Sequence, residues 1–370
     1  MPKKHSVDAI LLILIIAMVV VGFFIFSSAS LSLIARDSIS FGRAAFSQVL
    51  FGIIGGSLAL FLMSSIYYRN LRQYAFYIFV ASLILTVSVF IPGIGFSVGG
   101  AHRWIEIGSF TMQPAELLKI GFIIYMATWL SGTHKNIENF TKGFLPYVGL
   151  LTIVGVVMLM QPDTDTFAIM AVSAIAMFLT AGGRWKHMLL MIIMGIIALA
   201  ILAFARPYVM DRIMTFFDPA SDPLGSSYQV QQSLIAVGSG GITGRGFGQS
   251  IQKFEYLPEP TSDSIFAVYA EEFGFIGSTI LIILFTAFTF RGYRIASRSK
   301  DLFGMLLIVG FMTLIVTQAF LNIAAMLALV PLSGLPLPFL SKGGTALLST
   351  LASLGIVLNV SKYQQKIIRS

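Results

Sequence analysis

A chain of 370 residues that is 56% apolar and only 11% charged, with a mean hydropathy of +0.88, does not fit a set of soluble domains. The lack of cysteine excludes disulfides, thiolate metal sites and a cysteine nucleophile. A net charge of +8 raises nucleic acid as a partner, but no polar stretch carries a basic cluster with interleaved aromatics, so no nucleic acid is expected.

Apolar runs of about 17 to 25 residues predict an all-α, polytopic integral membrane protein of about ten transmembrane helices. The runs lie at 9–30, 46–66, 75–93, 117–131, 144–160, 166–181, 188–205, 270–290, 303–326 and 345–360. The start, with Lys3 and Lys4 ahead of the run from Ala9, has the charge of a signal peptide; the run is long and lacks a small-residue cleavage site, which makes it the first span. With the N-terminus inside, the cytoplasmic segments collect Lys3, Lys4, Arg69, Arg72, Lys135, Lys142, Arg184, Lys186, Arg291, Arg294, Arg298, Lys300, Lys362, Lys366 and Arg369, which is 15 of the 24 basic residues. They hold only Asp8, Glu138 and Asp301 among the acidic ones. The positive-inside rule then places both termini in the cytoplasm.

The exterior segments are 31–45, 94–116, 161–165, 206–269 and 327–344. The fourth, between the seventh and eighth predicted helices, runs to roughly 60 residues, and loops of that length are usually functional. Residues 1–370 read as one membrane domain, with 206–269 as its candidate catalytic loop.

Polar residues in and beside the spans need partners. In the second exterior segment Arg103-Trp104 is followed by Gln113-Pro114-Ala-Glu116-Leu-Leu-Lys119. Pro114 suits a helix start, and Glu116 with Lys119 at i, i+3 shares a face, as a structural ion pair or as the lining of an outward-facing cavity. Trp104 suits an interfacial anchor, with a substrate platform as the alternative. In the turn Gln161-Pro162-Asp163-Thr164-Asp165-Thr166, one acidic residue can cap the next helix and one is left over.

In the long loop, six glycines fall within eleven residues from Gly238 to Gly248, around Arg245. That composition fits a tight turn or a phosphate cradle equally well. Further on, Leu257-Pro258-Glu259-Pro260-Thr261-Ser262-Asp263 reads as a stop-and-cap sequence that places Asp263 at or near a helix N-terminus. Glu271 and Glu272 follow inside an apolar stretch, where each charge costs about 2.5 to 3.5 kcal/mol and a basic partner is expected. Gln318 and Asn322 form a polar stripe on the ninth span, and the segment Pro331 to Gly344 is irregular backbone at membrane depth.

Taken in order, these stretches resemble the SEDS family (shape, elongation, division and sporulation) of FtsW, RodA and SpoVE, the membrane peptidoglycan glycosyltransferases. The resemblance spans nearly the whole chain. Its most specific parts are Arg103-Trp104 with Gln113 to Lys119, Tyr228-Gln229 to Gly248, Leu257 to Gly274, and Gly334 to Gly344. The approach Gln252 to Tyr256 is closer to the division-type FtsW branch than to the elongation type. There are departures: the family's Pro-Asp-Leu-Gly-Thr stands here as Pro162 to Thr166, its Ser-Tyr-Gly-Gly as Ser341-Lys342-Gly343-Gly344, and the Phe after its catalytic Asp is Ser264.

By motif match, the resemblance implies Asp263 as the catalytic residue. It also implies lipid II (undecaprenyl-diphosphate-linked disaccharide peptide) as substrate, and as partner a class B penicillin-binding protein, with other divisome or elongation proteins. The expected role of Asp263 is general base. The departing diphosphate needs Arg or Lys, or a divalent cation such as Mg or Mn, held against it. Arg103, Arg212, Arg245 and Lys342 are the exterior cations for that task; Trp104, Glu116, Lys119, Asp163 and Glu259 complete the expected substrate-binding set. The rival readings are a lipid II flippase and a non-catalytic divisome scaffold.

Overall fold

In chain order the helices are α1 (Ala9–Arg36), α2 (Ser38–Phe46), α3 (Gly56–Ser65), α4 (Asn70–Val87), α5 (Pro114–Thr133), α6 (Leu145–Met160), α7 (Thr164–Thr180), α8 (Trp185–Ala205), α9 (Pro207–Phe217), α10 (Tyr228–Ser239), α11 (Gln252–Glu255), α12 (Ile265–Ala296), α13 (Leu302–Met326) and α14 (Gly344–Ser361). They are seen in a computed structural model that describes residues 6–36, 38–98, 101–107, 110–218 and 227–364. Lys3, Lys4, Lys366 and Arg369, assigned above to the cytoplasmic side, lie outside the described residues. A π-helical stretch, Ser47–Gly55, joins α2 to α3 in one continuous span.

Among the described residues, eight helical segments are long and apolar enough to cross a membrane. The predicted spans at 117–131 and 166–181 fall on α5 and on the shorter apolar α7. The chain is a multi-pass membrane protein. Helices α13 and α14 form its centre, with 78% of their apolar windows buried, whereas α8 stands at the rim with 11%. That contrast explains why α8 is apolar on every side: its neighbours are lipid rather than protein.

The bundle has two chemically distinct ends. At one, Arg291 pairs with Asp8 at 2.5 Å and Arg69 with Asp301 at 2.7 Å; Tyr68 also donates to Asp301. At the other lie the turns after α6 and α13 and the start of α12. Asp8, Arg69, Arg291 and Asp301, which the charge pattern groups on one side, pair among themselves.

Two features depart from the sequence reading. The segment before α5 forms a three-stranded antiparallel sheet, β1 (Gly95–Val98), β2 (Ala101–Ile107) and β3 (Phe110–Met112), with Phe96 opposite Trp104 and Ile105 opposite Met112. Ile105 is buried and Glu106 exposed, the two-residue period of a half-buried strand. The all-α expectation therefore holds for the membrane part, and a small sheet covers one end.

The second departure is the eighth span. Helix α12 runs from Ile265 to Ala296 rather than over 270–290, and it is broken at Gly274 (φ 63°, ψ −161°). A break inside a membrane leaves backbone groups that need partners. Here the carbonyls of Glu271 and Glu272 accept from the N–H groups of Arg245 and Gly246 at 3.1 and 2.9 Å, while Phe275 and Ile276 donate to the carbonyls of Gly241 and Ile242 at 2.9 and 3.1 Å. The glycine-rich turn thus plugs the break; close approach requires glycine at Gly240 and Gly244, and a positive φ favours it at Gly241, Gly244, Gly246 and Gly248. A Cβ at Gly240 would lie 2.1 Å from the Ala270 carbonyl oxygen, and one at Gly244 would lie 2.2 Å from that of Glu272. The turn is a structural dock and not a phosphate cradle.

Candidate active site

Asp263 lies one residue before the N-cap of α12, Ser264, and does not cap the helix. Its position is fixed through backbone instead. Lys342 N donates to the Thr261 carbonyl at 2.7 Å, Ser341 Oγ to the Ser262 carbonyl at 2.5 Å, and Asn322 Nδ2 to the Asp263 carbonyl at 2.7 Å. Asn322 also donates to the Leu335 carbonyl at 2.8 Å, tying α13, the 331–343 segment and the approach to α12 into one unit. One oxygen of the Asp263 carboxyl, the buried Oδ1, has no hydrogen-bond partner among the described residues. Burial, and next the charge of Glu259, push its pKa up to about 6; hydrogen bonds from Gln229 and the local backbone oppose the rise.

Beside it opens a cavity of about 780 Å³, within the range of ligand sites. The sheet contributes Phe96, Trp104, Glu106 and Thr111; α2 and the π-helical stretch contribute Arg43, Ala44 and Ser47; Glu259 and Ser262 come from the approach to α12; Lys342 to Thr345 come from the start of α14. Asp263 follows the wall residue Ser262 in the chain and is not itself among the lining residues. Trp104 is therefore a wall residue of the cavity. Arg43 and Gln48, absent from the sequence-derived set, belong to this site. Gln48 is buried, accepts from Gly343 N at 3.0 Å and donates to the Ser341 carbonyl at 3.4 Å. The signal available was an amide near the start of an apolar span, where a lone polar group needs a partner.

The other predicted residues are distributed around the cavity rather than in it. The Arg103 guanidinium donates to the carbonyls of Gln161, at 3.0 Å, and Pro162. Asp163 caps α7 through Thr166 N at 3.3 Å and accepts from Gln113 Nε2 at 3.3 Å; burial raises its pKa and the nearby Arg103 charge opposes the rise. Asp165, the acid left over, binds Arg212 at 2.8 Å and accepts from Gly334 N at 3.0 Å, so it anchors the 331–343 segment. Arg245 faces Glu271 at 3.4 Å. Glu116 and Lys119 form a buried pair at 2.8 Å. Ser349 donates to Glu116 at 2.6 Å, Lys119 to Gln318 at 3.3 Å, and Gln318 to the Pro336 carbonyl at 2.8 Å. This chain of contacts supports the segment behind the cavity and does not line it.

The cations that Glu271 and Glu272 call for are Arg245 and Lys253. Lys253, wholly buried, pairs with Glu272 at 2.7 Å and donates to Ser28 Oγ at 3.1 Å and the Gly248 carbonyl at 3.0 Å. Glu271 accepts from Ser250 Oγ at 2.5 Å and from the N–H groups of Ile251 and Gln252. Among the described residues no three His, Cys, Asp or Glu side chains converge as a metal cage.

A multi-pass helical bundle with a charged cavity roofed by a small sheet at one end, and a part-buried carboxyl behind its wall, defines a membrane protein built to work on a ligand at the bilayer surface. Comparison with known proteins agrees. The family model described as "Cell cycle protein", that of FtsW, RodA and SpoVE, matches residues 8–366. Stage V sporulation protein E of Bacillus subtilis (strain 168) is 38% identical over 366 residues, covering 98% of this chain and 99% of that protein. The "Probable peptidoglycan glycosyltransferase FtsW" of Geobacter metallireducens is 38% identical over 354 residues, 96% of this chain and 94% of its own. A chain from the solved structure described as "Structural coordination of polymerization and crosslinking by a peptidoglycan synthase complex" superposes with a TM-score of 0.78 at 29% identity, covering 97% of this chain and 99% of that one. The chain belongs to the FtsW, RodA and SpoVE family.

Proposed function

We propose that the chain is a peptidoglycan glycosyltransferase that polymerises lipid II at the outer face of the cytoplasmic membrane. The observation that carries this reading is Asp263: a carboxyl with a free oxygen, held by its backbone behind the wall of a cavity that bears cations, carboxylates and an indole. Relatives named peptidoglycan glycosyltransferase support the reaction class. Asp263 takes the proton from the acceptor sugar's 4-hydroxyl. The oxygen bonds to the donor's anomeric carbon as the bond from that carbon to the diphosphate breaks, and the electron pair leaves on undecaprenyl diphosphate. A base is most effective with a pKa near the working pH, and a value of about 6 keeps Asp263 ionised yet proton-hungry at neutrality.

A divalent cation at this site would take most of its ligands from the phosphates, as Mg often does. Orientation with both termini inside rests on the basic residues gathered at the Asp8–Arg291 end. A class B penicillin-binding protein as partner is supported by the likeness to a synthase complex that couples polymerization to crosslinking. Division is the setting we assign, on the approach Gln252 to Tyr256 and on the relatives named FtsW.

The test is polymerisation of purified lipid II by the co-purified complex, read as a glycan ladder. Transfer of labelled lipid across vesicles with no joined sugars would hand the protein to the transporter class instead. The pH profile gives a second check. The acid limb of kcat should have its midpoint near 6. In Glu259→Gln, which removes the neighbouring charge that raises the Asp263 pKa, the limb should move to lower pH; a limb that stays in place or moves upward contradicts the assignment.

A further inference from the structure

We propose that Arg43 and Lys342 together hold the diphosphate of the lipid-linked donor at the mouth of the cavity. The inference rests on the glycosyl-transfer reading and names the groups that receive its leaving charge. Four exterior cations were expected to share this task, and three are engaged elsewhere: Arg103 on two turn carbonyls, Arg212 on Asp165, Arg245 on Glu271. Lys342 is different. Its side chain is exposed on the cavity wall and has no ion pair among the described residues, and the same holds for Arg43.

The two are brought together by construction. Gln48 grips both sides of Lys342, accepting from Gly343 N and donating to the Ser341 carbonyl. Gly344 packs so closely on the span that a Cβ there would lie 2.4 Å from the Ser47 carbonyl oxygen. Arg43 lies one helical turn before Ser47, so these contacts tie the segment that carries Arg43 to the one that carries Lys342, and both residues line the one cavity. The first turn of α14 belongs to the same wall and adds a dipole of the same sign.

A sugar-linked lipid diphosphate carries two negative charges. Arg offers paired donors for phosphate oxygens and Lys a mobile point charge. When the anomeric bond breaks, a further negative charge develops on the diphosphate beside these cations, which therefore favour the transition state as well as binding.

Equilibrium binding to the purified full chain in nanodiscs tests this, with undecaprenyl diphosphate, undecaprenol and inorganic pyrophosphate as probes. Arg43→Gln and Lys342→Gln should each weaken binding of the lipid diphosphate by about tenfold or more, as expected for lost charge-assisted bonds, and leave undecaprenol unaffected. Lys342→Arg should retain binding. Pyrophosphate should compete poorly; competition equal to that of the lipid would make the site one for a soluble diphosphate. Unchanged lipid diphosphate affinity in the double variant overturns the proposal, as does an equal loss for undecaprenol. Binding through these residues in a protein that never joins sugars would leave this inference standing and remove the polymerase reading.

Discussion

Asp263→Asn should abolish glycan polymerisation, with a loss of about 100- to 10,000-fold in kcat, while the protein stays folded. The substitution keeps size and shape and removes only the capacity to accept a proton. The fold does not depend on the carboxylate: neighbouring elements hold the Asp263 carbonyl, and Oδ1 has no partner. Burial raises the Asp263 pKa from 3.8 to about 6, so the folded state binds this proton more tightly than the unfolded state does. The contribution of Asp263 to stability is therefore full below pH 3.8 and is lost as the pH rises through about 6. At neutral pH the ionised carboxylate opposes folding, and a neutral amide should leave the thermal midpoint equal or higher. Inactivity with an unchanged or raised midpoint is the expected pair of results. Retained strand synthesis would remove Asp263 from the chemistry, whereas a variant that makes no strands yet supports growth would favour the scaffold reading.

The spans were legible because lipid exposure demands continuous apolar runs, and α1, with no charge before Arg36, is too long a run for the signal peptide its start suggests. The N-terminal placement of Asp263 was legible too, since Pro258, Pro260 and the Thr-Ser-Asp run leave little else. The purpose of the glycines was hidden. Gly244 is distant in sequence from the Gly274 break it seals, and local composition cannot name a backbone partner on another element. The roles of the arginines were hidden for the same reason: Arg103 answers to carbonyls of the turn after α6, and Arg212 to an acid at the start of α7. A list of exterior cations could not separate these from Arg43 and Lys342; only packing shows which charges already have counterparts. The sheet escaped because strands of four, seven and three residues are too short for their alternation to stand out beside membrane spans.

Lys253→Ala should destabilise the purified protein by about 3 to 5 kcal/mol, the usual consequence of removing one partner of a buried ion pair. The ammonium has 0% exposure and its partner Glu272 only 2%. Without it, Glu272 keeps two weak compensations, the Ser28 hydroxyl at 2.6 Å and Ser250 N at 3.5 Å. The damage should spread, because Glu272 sits two residues before the Gly274 break and its carbonyl receives Gly246 N from the docked turn. Arg245→Ala is the informative contrast: its pair with Glu271 is longer, at 3.4 Å, the guanidinium is 37% exposed, and Glu271 keeps Ser250, Ile251 and Gln252 as donors. A change below about 1 kcal/mol is expected there. Replacing the whole buried pair, Lys253→Met with Glu272→Met, should recover most of the stability, because two apolar side chains of similar volume leave no stranded charge. Thermal midpoints in one detergent decide the matter. Equal midpoints for Lys253→Ala and Arg245→Ala would mean that the break in α12 is held by its backbone hydrogen bonds alone. A double variant no more stable than Lys253→Ala would mean that the charges themselves set the height at which the first half of α12 presents Asp263.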